Sequence, residues 1–207
     1  MLKFARGAVL MLALFSAGAA RGETPPQELK SAIFAGGCFW CVEEAFEKVP
    51  GVVRAVAGYT GGTKANPTYE EVSSKSTGHA EAVEVTYDPK RVSYAQLVDW
   101  FWRNIDPSDA KGQFCDKGSP YRSAIFTSDA EQKRIAEASK QALQASGRLK
   151  GQIATEIVAA GPFYPAEEYH QAYYKKNPFK YQYYKQGCGR AQRLEQIWGP
   201  PAPPPTQ

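Results

Sequence analysis

Two cysteines three residues apart, Cys38 and Cys41, are the side chains of this sequence best suited to chemistry. They stand in the run GGCFWC at 36–41, after an apolar segment that predicts a buried strand over 31–35. The next residues have helical spacing, and the glycines allow a sharp turn between strand and helix. We expect Cys38 in the first helical turn, where free amides and the helix dipole lower a thiol pKa. We interpret Cys38 as a nucleophile; the alternative is an inert buried thiol.

A carboxylate on an apolar strand face is the second candidate. Residues 79–87 alternate so that Glu81 shares one face of a predicted strand with Val83, Val85 and Tyr87. A buried carboxylate is costly unless it is paired, hydrogen-bonded or protonated. The pattern leaves two interpretations open: Glu81 is buried in one of these states, or this end of the strand is exposed.

Three functions fit the cysteine run. The Cys-x-x-Cys spacing is typical of dithiol exchange in thioredoxin-like proteins, but two bulky aromatic residues between the thiols would shield them from a protein disulfide. Structural zinc would need a second paired motif. The remaining candidate ligands are single residues at Cys115, Cys188, His79 and His170. The third function is a reactive thiol that faces a small apolar substrate group, with Phe39 and Trp40 as walls.

The elements that must position these residues alternate along the chain. Strands are predicted at 31–35, 52–58, 79–87, 121–127 and 153–160. Helices are predicted at 42–49, 67–72, 94–105, 129–146 and 166–175, the middle three capped by Asn66, Ser93 and Ser128. The segment from Asn177 is aromatic and irregular, and 200–207 is expected to be disordered. Interspersed strands and helices predict one α/β sandwich with a mixed sheet.

The N-terminal segment predicts a secretory signal peptide over 1–22. Lys3 and Arg6 precede an apolar stretch at 7–15, which is too short to span a bilayer, and small residues follow it. The alternative is an uncleaved anchor. Cleavage removes three basic residues and lowers the net charge from +4 to +1. We therefore expect a secreted or periplasmic protein that neither binds nucleic acid nor inserts into a membrane after cleavage.

Further motifs extend the cysteine run into a family pattern. In order they are GCFW at 37–40, GYTGG at 58–62, NPTY at 66–69, GHAE at 78–81, DxG at 116–118, YRS at 121–123, AEEYHQ at 166–171 and KNP at 176–178. With these motifs the chain resembles the peptide methionine sulfoxide reductases of the A type, from about residue 32 to 189. The resemblance implies an α/β two-layer sandwich with a ferredoxin-like mixed sheet and a long coiled C-terminal tail, in a domain over 23–199.

The resemblance implies roles for the matching residues. Cys38 would attack the sulfur of the S epimer of methionine sulfoxide, and Phe39 and Trp40 would hold the substrate methyl group. Glu81 would protonate the sulfoxide oxygen. A carboxyl group on an apolar face has a raised pKa and can hold that proton near neutral pH. Cys38 would become a sulfenic acid, and a second thiol would condense with it to a disulfide.

Three further residues and the partners follow from the same resemblance. Tyr69 and Tyr121 would assist Glu81 through their hydroxyls, and Asp116 would orient the site through water. No metal or organic cofactor is required. The expected partners are oxidised proteins or peptides, free methionine sulfoxide and an external dithiol such as a thioredoxin-like protein, and we expect a monomer.

The resolving cysteine departs from one common family pattern. Many relatives carry it four residues beyond the equivalent of Pro178, where this chain has Gln182. Cys188 resembles the tail cysteine of some members, and Cys41 resembles the second cysteine of members with the motif CFWC. The resemblance assigns no role to Cys115, for which a structural role is the alternative. We favour Cys188, because glycines flank it and because Cβ atoms on consecutive helical turns are about 5–6 Å apart, whereas a disulfide needs about 3.8 Å. A relay through both cysteines stays open.

Overall fold

The order of strands and helices follows from the alternation in the sequence. The computed structural model describes residue 1 and residues 28–206. Residues 2–22 of the predicted signal peptide lie outside the described residues. The strands are β1 (Lys30–Gly36), β2 (Val52–Thr60), β3 (Ala80–Tyr87), β4 (Gly112–Gln113), β5 (Asp116–Lys117), β6 (Ser123–Thr127), β7 (Glu156–Ala159) and β8 (Tyr164–Pro165). The helices are α1 (Phe39–Glu47), α2 (Tyr69–Ser73), α3 (Tyr94–Arg103), α4 (Ala130–Ala145), α5 (Tyr173–Lys176), α6 (Pro178–Gly187) and α7 (Arg190–Trp198).

Six strands form one mixed sheet in the order β7-β6-β1-β3-β2-β8. The neighbours pair antiparallel except β6 and β7, which are parallel. The short strands β4 and β5 form a separate hairpin. This mixed sheet with its helices confirms the predicted α/β class. The domain bounds 23–199 stay a prediction.

The register of the central strands places the cysteine turn beside Glu81. Phe34 of β1 lies opposite Val83 of β3. Because the strands run antiparallel, the end of β1 at Gly36 lies next to the start of β3, where Glu81 stands. The turn that leads to Cys38 therefore begins beside the carboxylate.

Alternation along the strands divides the core into two faces. Phe34 and Val83 pack with Phe46 of α1 and Phe101 of α3 on one face, and Glu81 belongs to this face by its spacing from Val83. The side chains between them pack on the other face with Phe126 and its neighbours. Glu81 is only 3% exposed, so the interpretation with an exposed strand end is excluded.

Two helix caps differ from the sequence prediction. The cap of α2 is Thr68 rather than Asn66, because Thr68 and Glu71 form a reciprocal capping box and Asn66 has a positive φ of 48°. The cap of α4 is Asp129 rather than Ser128, since the Asp129 carboxylate accepts a backbone N–H of the first turn at 2.7 Å. The capping box of α3 is present as predicted.

The C-terminal segment differs from the predicted coil. Residues 166–172 are mostly turns, and helices α5 to α7 follow, separated after α6 by Gly189 with a φ of +65°. Pro178 suits the first position of α6, and Tyr181 anchors this helix because its side chain is 1% exposed. Residues 200–206 have no regular secondary structure, and their disorder stays a prediction. Among the described residues, no helix has the length and apolar character needed to cross a membrane.

Candidate active site

Cys38 lies at the junction of β1 and α1, as the sequence predicts. It is the N-cap residue of α1, with a non-helical ψ of 117°, and its side chain is 5% exposed. Gly37 has a φ of +82°, and a Cβ there would lie 2.5 Å from the Cβ of Gln113. Both observations require glycine at this turn, so the backbone that positions Cys38 depends on it.

The predicted lowering of the Cys38 pKa is wrong. Burial raises its pKa well above the ordinary thiol value, and the hydrogen-bonded Cys41 and the nearby Glu81 raise it further. The position at a helix start favours the thiolate, but the cost of burying a charge is larger here. Cys38 therefore holds its proton at neutral pH.

Cys41 is the anionic member of the buried pair. The hydrogen bond from Cys38 lowers the pKa of Cys41 to about 6, and the positive charges of Arg190 and Lys185 add to this effect although burial opposes it. The two sulfurs thus share one proton at neutral pH. Cys38 is the thiol that donates and Cys41 is the thiolate that accepts.

Glu81 has the environment of a proton donor. Its Oε2 accepts the backbone N–H of Phe39 at 3.0 Å, so the carboxyl group lies against the first turn of α1. Burial raises the pKa of Glu81 to about 8, and the charges of Asp116 and Cys41 act in the same direction. Glu81 is consequently protonated at neutral pH, next to Phe39, the residue that follows Cys38.

Tyr69 and Tyr121 lie together beside this carboxyl group. Tyr121 donates a hydrogen bond to Tyr69, and burial together with the charge of Glu81 raises the pKa of Tyr69 to about 12. The same two causes raise the pKa of Tyr121. Both hydroxyls therefore keep their protons, and the structure brings both predicted tyrosines to the site.

Phe39 and Trp40 are walled by aromatic rings. Phe39 is 1% exposed, and its ring lies 5.0 Å from that of His170. Trp40 stacks on Tyr173 at 3.8 Å between centroids and donates its indole N–H to Nδ1 of His170 at 3.0 Å. These contacts fix the orientation of the indole, the more exposed of the two predicted pocket walls.

The hydroxyl of Tyr184 lies between Cys38 and Asp116. Its single hydroxyl hydrogen is donated to Oδ2 of Asp116, and the same hydroxyl lies beside the Cys38 sulfur, where it acts to lower the pKa of Cys38. Burial raises the pKa of Asp116 and opposes its ionisation, while the bond from Tyr184 favours the carboxylate. Asp116 and Cys38 are thus separated by a single hydroxyl group, that of Tyr184. Its predicted contact through water stays a prediction.

Helix α6 also covers Cys41 and its neighbouring charges. Tyr181 contacts Cys41 in a small apolar cluster and donates its hydroxyl hydrogen to Glu44. Lys185 pairs with the same carboxylate. Burial alone would raise the pKa of Glu44, but its hydrogen bonds from Lys185 and Lys48 lower it to about 2. The ionised carboxylate of Glu44 therefore holds Lys185, whose positive charge lowers the pKa of Cys41.

The other two cysteines form a disulfide. Cys115 and Cys188 are bonded, whereas Cys38 and Cys41 are free. Among the described residues, one group places potential metal-ligand atoms within 4.8 Å of one another: Cys115, Asp116 and Cys188. Its two sulfurs are bonded to each other and are not free thiolates. That the protein uses no metal stays a prediction.

Several residues of this site escaped the sequence analysis. His170 was considered only as a metal ligand, although its motif AEEYHQ was recognised. Tyr184, Lys185 and Arg190 lie in the segment predicted to be irregular, where no periodic pattern marked them. Only the packing of α6 and α7 against α1 brings them to the cysteines.

The family model described as peptide methionine sulfoxide reductase matches residues 30–201. The chain belongs to this family. The match spans the sheet, the cysteine turn and the C-terminal helices, and it confirms the resemblance that the motifs carried. It also makes the chain an oxidoreductase of the methionine sulfoxide reductase class.

Relatives with high identity support the same assignment. The peptide methionine sulfoxide reductase MsrA of Bacillus subtilis is 55% identical over 168 residues, which are 81% of this chain and 95% of the relative. The MsrA of Ligilactobacillus salivarius is also 55% identical over 168 residues, which are 81% of this chain and 97% of that protein.

Solved structures of similar proteins share the fold. The methionine sulfoxide reductase A of Corynebacterium diphtheriae superposes with a TM-score of 0.66 at 38% identity, covering 76% of this chain and 78% of that one. Reduced Mxr1 of Saccharomyces cerevisiae gives a TM-score of 0.69 at 33% identity, covering 75% of this chain and 90% of Mxr1.

Proposed function

We propose that this enzyme reduces the S epimer of methionine sulfoxide, free and in oxidised proteins, to methionine. The observation that carries the proposal is the pairing of a buried nucleophile with a protonated carboxyl group. Cys38 precedes the amide to which Glu81 is bonded, and aromatic side chains surround both. A sulfoxide oxygen is a poor leaving group until it is protonated, and Glu81 holds a proton for it at neutral pH.

The first step transfers the oxygen to Cys38. The Cys38 proton passes to the Cys41 thiolate as the Cys38 sulfur attacks the sulfoxide sulfur. Glu81 gives its proton to the oxygen, with Tyr69 and Tyr121 as hydrogen-bond donors. This attack forms a bond between the two sulfurs. The substrate S–O bond and the new S–S bond then break as the hydroxyl passes to Cys38, which becomes a sulfenic acid, and methionine leaves. The substrate sulfur gains the two electrons that Cys38 loses.

The second step closes a disulfide between Cys38 and Cys41. The Cys41 sulfur attacks Cys38, the S–O bond of the sulfenic acid breaks, and the hydroxyl leaves as water with the proton that Cys41 had received. The distance of about 5–6 Å between Cβ atoms on consecutive turns, which argued against this bond, applies to two helical residues. Cys38 is instead the non-helical cap of α1. Cys188, which the sequence favoured, is bonded to Cys115. We therefore give the first resolving step to Cys41.

A thioredoxin-like dithiol protein is the proposed reductant. One similar structure is Mxr1 in complex with Trx2, with a TM-score of 0.51 at 26% identity. A signal peptide over 1–22 would place this chain in the periplasm or outside the cell, where a local dithiol protein would have to supply the electrons. We further propose that the protein acts as a monomer, without organic cofactor, metal or nucleic acid.

Replacing Cys38 tests the proposal. Cys38→Ser should abolish methionine release from the S sulfoxide, because a hydroxyl is a far weaker nucleophile than a thiol at neutral pH. Release is measured with S and R sulfoxide peptides, and circular dichroism checks that the variant is folded. Full activity of the variant would refute the proposal. Reduction of insulin disulfides by the wild type, with no methionine release, would establish the dithiol-exchange alternative instead.

A further inference from the structure

Glu43 is a buried acidic residue of α1 that the two steps above do not use. Its side chain is 1% exposed, and burial raises its pKa to about 7 although the hydrogen bond from Ala172 acts in the opposite direction. Its Oε1 accepts the backbone N–H of Ala172 at 2.9 Å, whereas Oε2 has no hydrogen-bond partner among the described residues. An apolar side chain would be less costly to bury, so the bond to Ala172 is what a carboxyl group adds at this position.

Ala172 begins the short helix α5 in an unusual backbone conformation. Its φ of +49° lies in the left-handed region, which is unfavourable for a residue with a Cβ atom. Its carbonyl accepts the N–H groups of Lys175 and Lys176 at 2.9 and 3.1 Å. Its own N–H has no acceptor within the helix, and Glu43 provides one. Glu43 therefore holds the peptide group at which this turn begins.

The residues on both sides of Ala172 contact the indole of Trp40. His170 accepts the indole N–H at Nδ1, and Tyr173 lies almost parallel to the indole, at an interplanar angle of 6°. Because Ala172 lies between these two residues in the chain, a shift of its peptide group moves both rings. Trp40 and Glu43 are three residues apart in α1 and so share one face of that helix.

Other contacts hold this part of the chain to different elements. The side-chain amide of Gln171 exchanges two hydrogen bonds with the backbone of Ala57 in β2. Beyond Tyr173, the side chains of Tyr174 and Lys175 bind Glu47. Among the described residues, the bond from Ala172 to Glu43 is the one hydrogen bond that joins α1 to the two residues between His170 and Tyr173.

We propose that Glu43 is a positioning residue for the substrate-binding pocket, which holds the Ala172 peptide so that His170 and Tyr173 keep the indole of Trp40 in place. This inference rests on the proposed function, in which Trp40 is a wall for the substrate methyl group. Glu43 does not touch the reacting atoms. It therefore acts on the affinity for the sulfoxide and not on the transfer of oxygen to Cys38.

Single-turnover kinetics of Glu43→Ala separates affinity from chemistry. Reduced protein without reductant is mixed with increasing concentrations of S sulfoxide peptide, and the rate of methionine release gives a half-saturating concentration and a limiting rate. The half-saturating concentration should rise about tenfold, because the buried N–H of Ala172 loses its acceptor. The limiting rate should stay within about twofold, since Cys38 and Glu81 are unchanged.

Two results would count against different parts of the account. A folded Glu43→Ala variant with the half-saturating concentration of the wild type would overturn the inference. Release of no methionine by the wild type would instead refute the proposed function. If circular dichroism shows that Glu43→Ala is unfolded, Glu43→Asp gives the same comparison, because its carboxylate is one methylene group further from Ala172.

A conservative variant and a neighbouring carboxylate are the controls. Glu43→Gln keeps an oxygen that accepts the N–H of Ala172, so its half-saturating concentration should stay within about threefold of the wild type. Glu168→Ala should change neither constant, because the Glu168 side chain is 87% exposed and pairs with Lys176 at the surface. Hydrogen exchange at the Ala172 amide should be faster in Glu43→Ala than in Glu43→Gln. Equal exchange in the wild type and both variants would show that Glu43 does not hold this peptide, and would overturn the inference.

Discussion

The two cysteine pairs differ in almost every property that governs thiol chemistry. Cys38 and Cys41 are enclosed by aromatic rings and share one proton beside Arg190 and Lys185. Cys115 is exposed and Cys188 is half-buried; the two are bonded to each other, and glycines flank Cys188. Beside the inner pair lies Glu81, which carries a proton at neutral pH, and the outer pair includes the exposed Cys115.

Burial favours one kind of thiol chemistry and hinders another. A nucleophile that produces a sulfenic acid benefits from burial, which keeps other thiols and water from the intermediate. Burial also prevents a protein reductant from reaching the same sulfur. The outer pair is not restricted in this way at Cys115, which is exposed.

The largest effect is expected from removing the acid of the inner pair. Glu81→Gln should slow methionine release in the first turnover by about 10²–10⁴-fold at neutral pH, the usual contribution of general acid catalysis. The amide still hydrogen-bonds, so binding should suffer less than rate. The measurement is single-turnover release by rapid quench, with Glu84→Gln on the opposite face of β3 as the control.

The pH dependence sharpens this prediction. Because burial raises the pKa of Glu81 to about 8, the wild-type contribution of this acid is present below pH 8 and is lost as the pH rises above it. Glu81→Gln should lack that loss, and its deficit should shrink at low pH, where solvent supplies protons. A near-normal rate of the variant at pH 7 would place the acid elsewhere.

A smaller effect is expected from removing the hydroxyl of Tyr184, which lies between Cys38 and Asp116. Tyr184→Phe removes the hydroxyl that acts to lower the pKa of Cys38. It should slow the first turnover about 10–100-fold, because the Cys38 sulfur becomes charged as it loses its proton and a hydrogen bond to a charged group contributes about 1.5–3 kcal/mol. The matched control is Tyr183→Phe, because Tyr183 is 84% exposed on the same helix. Equal rates for both variants would show that Tyr184 only packs against Trp40.

The sequence predicted those parts of the molecule that depend on local patterns. The strand, the glycine turn and the helix around Cys38 follow from composition and spacing, and alternation alone placed Glu81 with Val83 and Val85. The cap at Asp129 was missed because two adjacent residues had suitable side chains. The helical C-terminal segment was missed because α6 has no amphipathic pattern; it is held by single anchors such as Tyr181.

Features that depend on distant packing were beyond the sequence. Cys38 was expected to have a lowered pKa from its helix position, but the tail helices bury it and reverse the effect. The bond between Cys115 and Cys188 joins the loop before β5 to the end of α6, and no local pattern connects them. Arg190 reaches Cys41 only because α7 packs beside the turn at Gly36.

The order in which disulfides appear during the first turnover tests the central claim, that the inner pair performs the reduction. Fully reduced protein is mixed with one equivalent of the S sulfoxide peptide, quenched in acid at successive times and mapped by mass spectrometry. The account predicts one methionine per protein and Cys38–Cys41 as the first disulfide. A Cys38–Cys188 bond that forms first, while Cys41 is still a thiol, would contradict it.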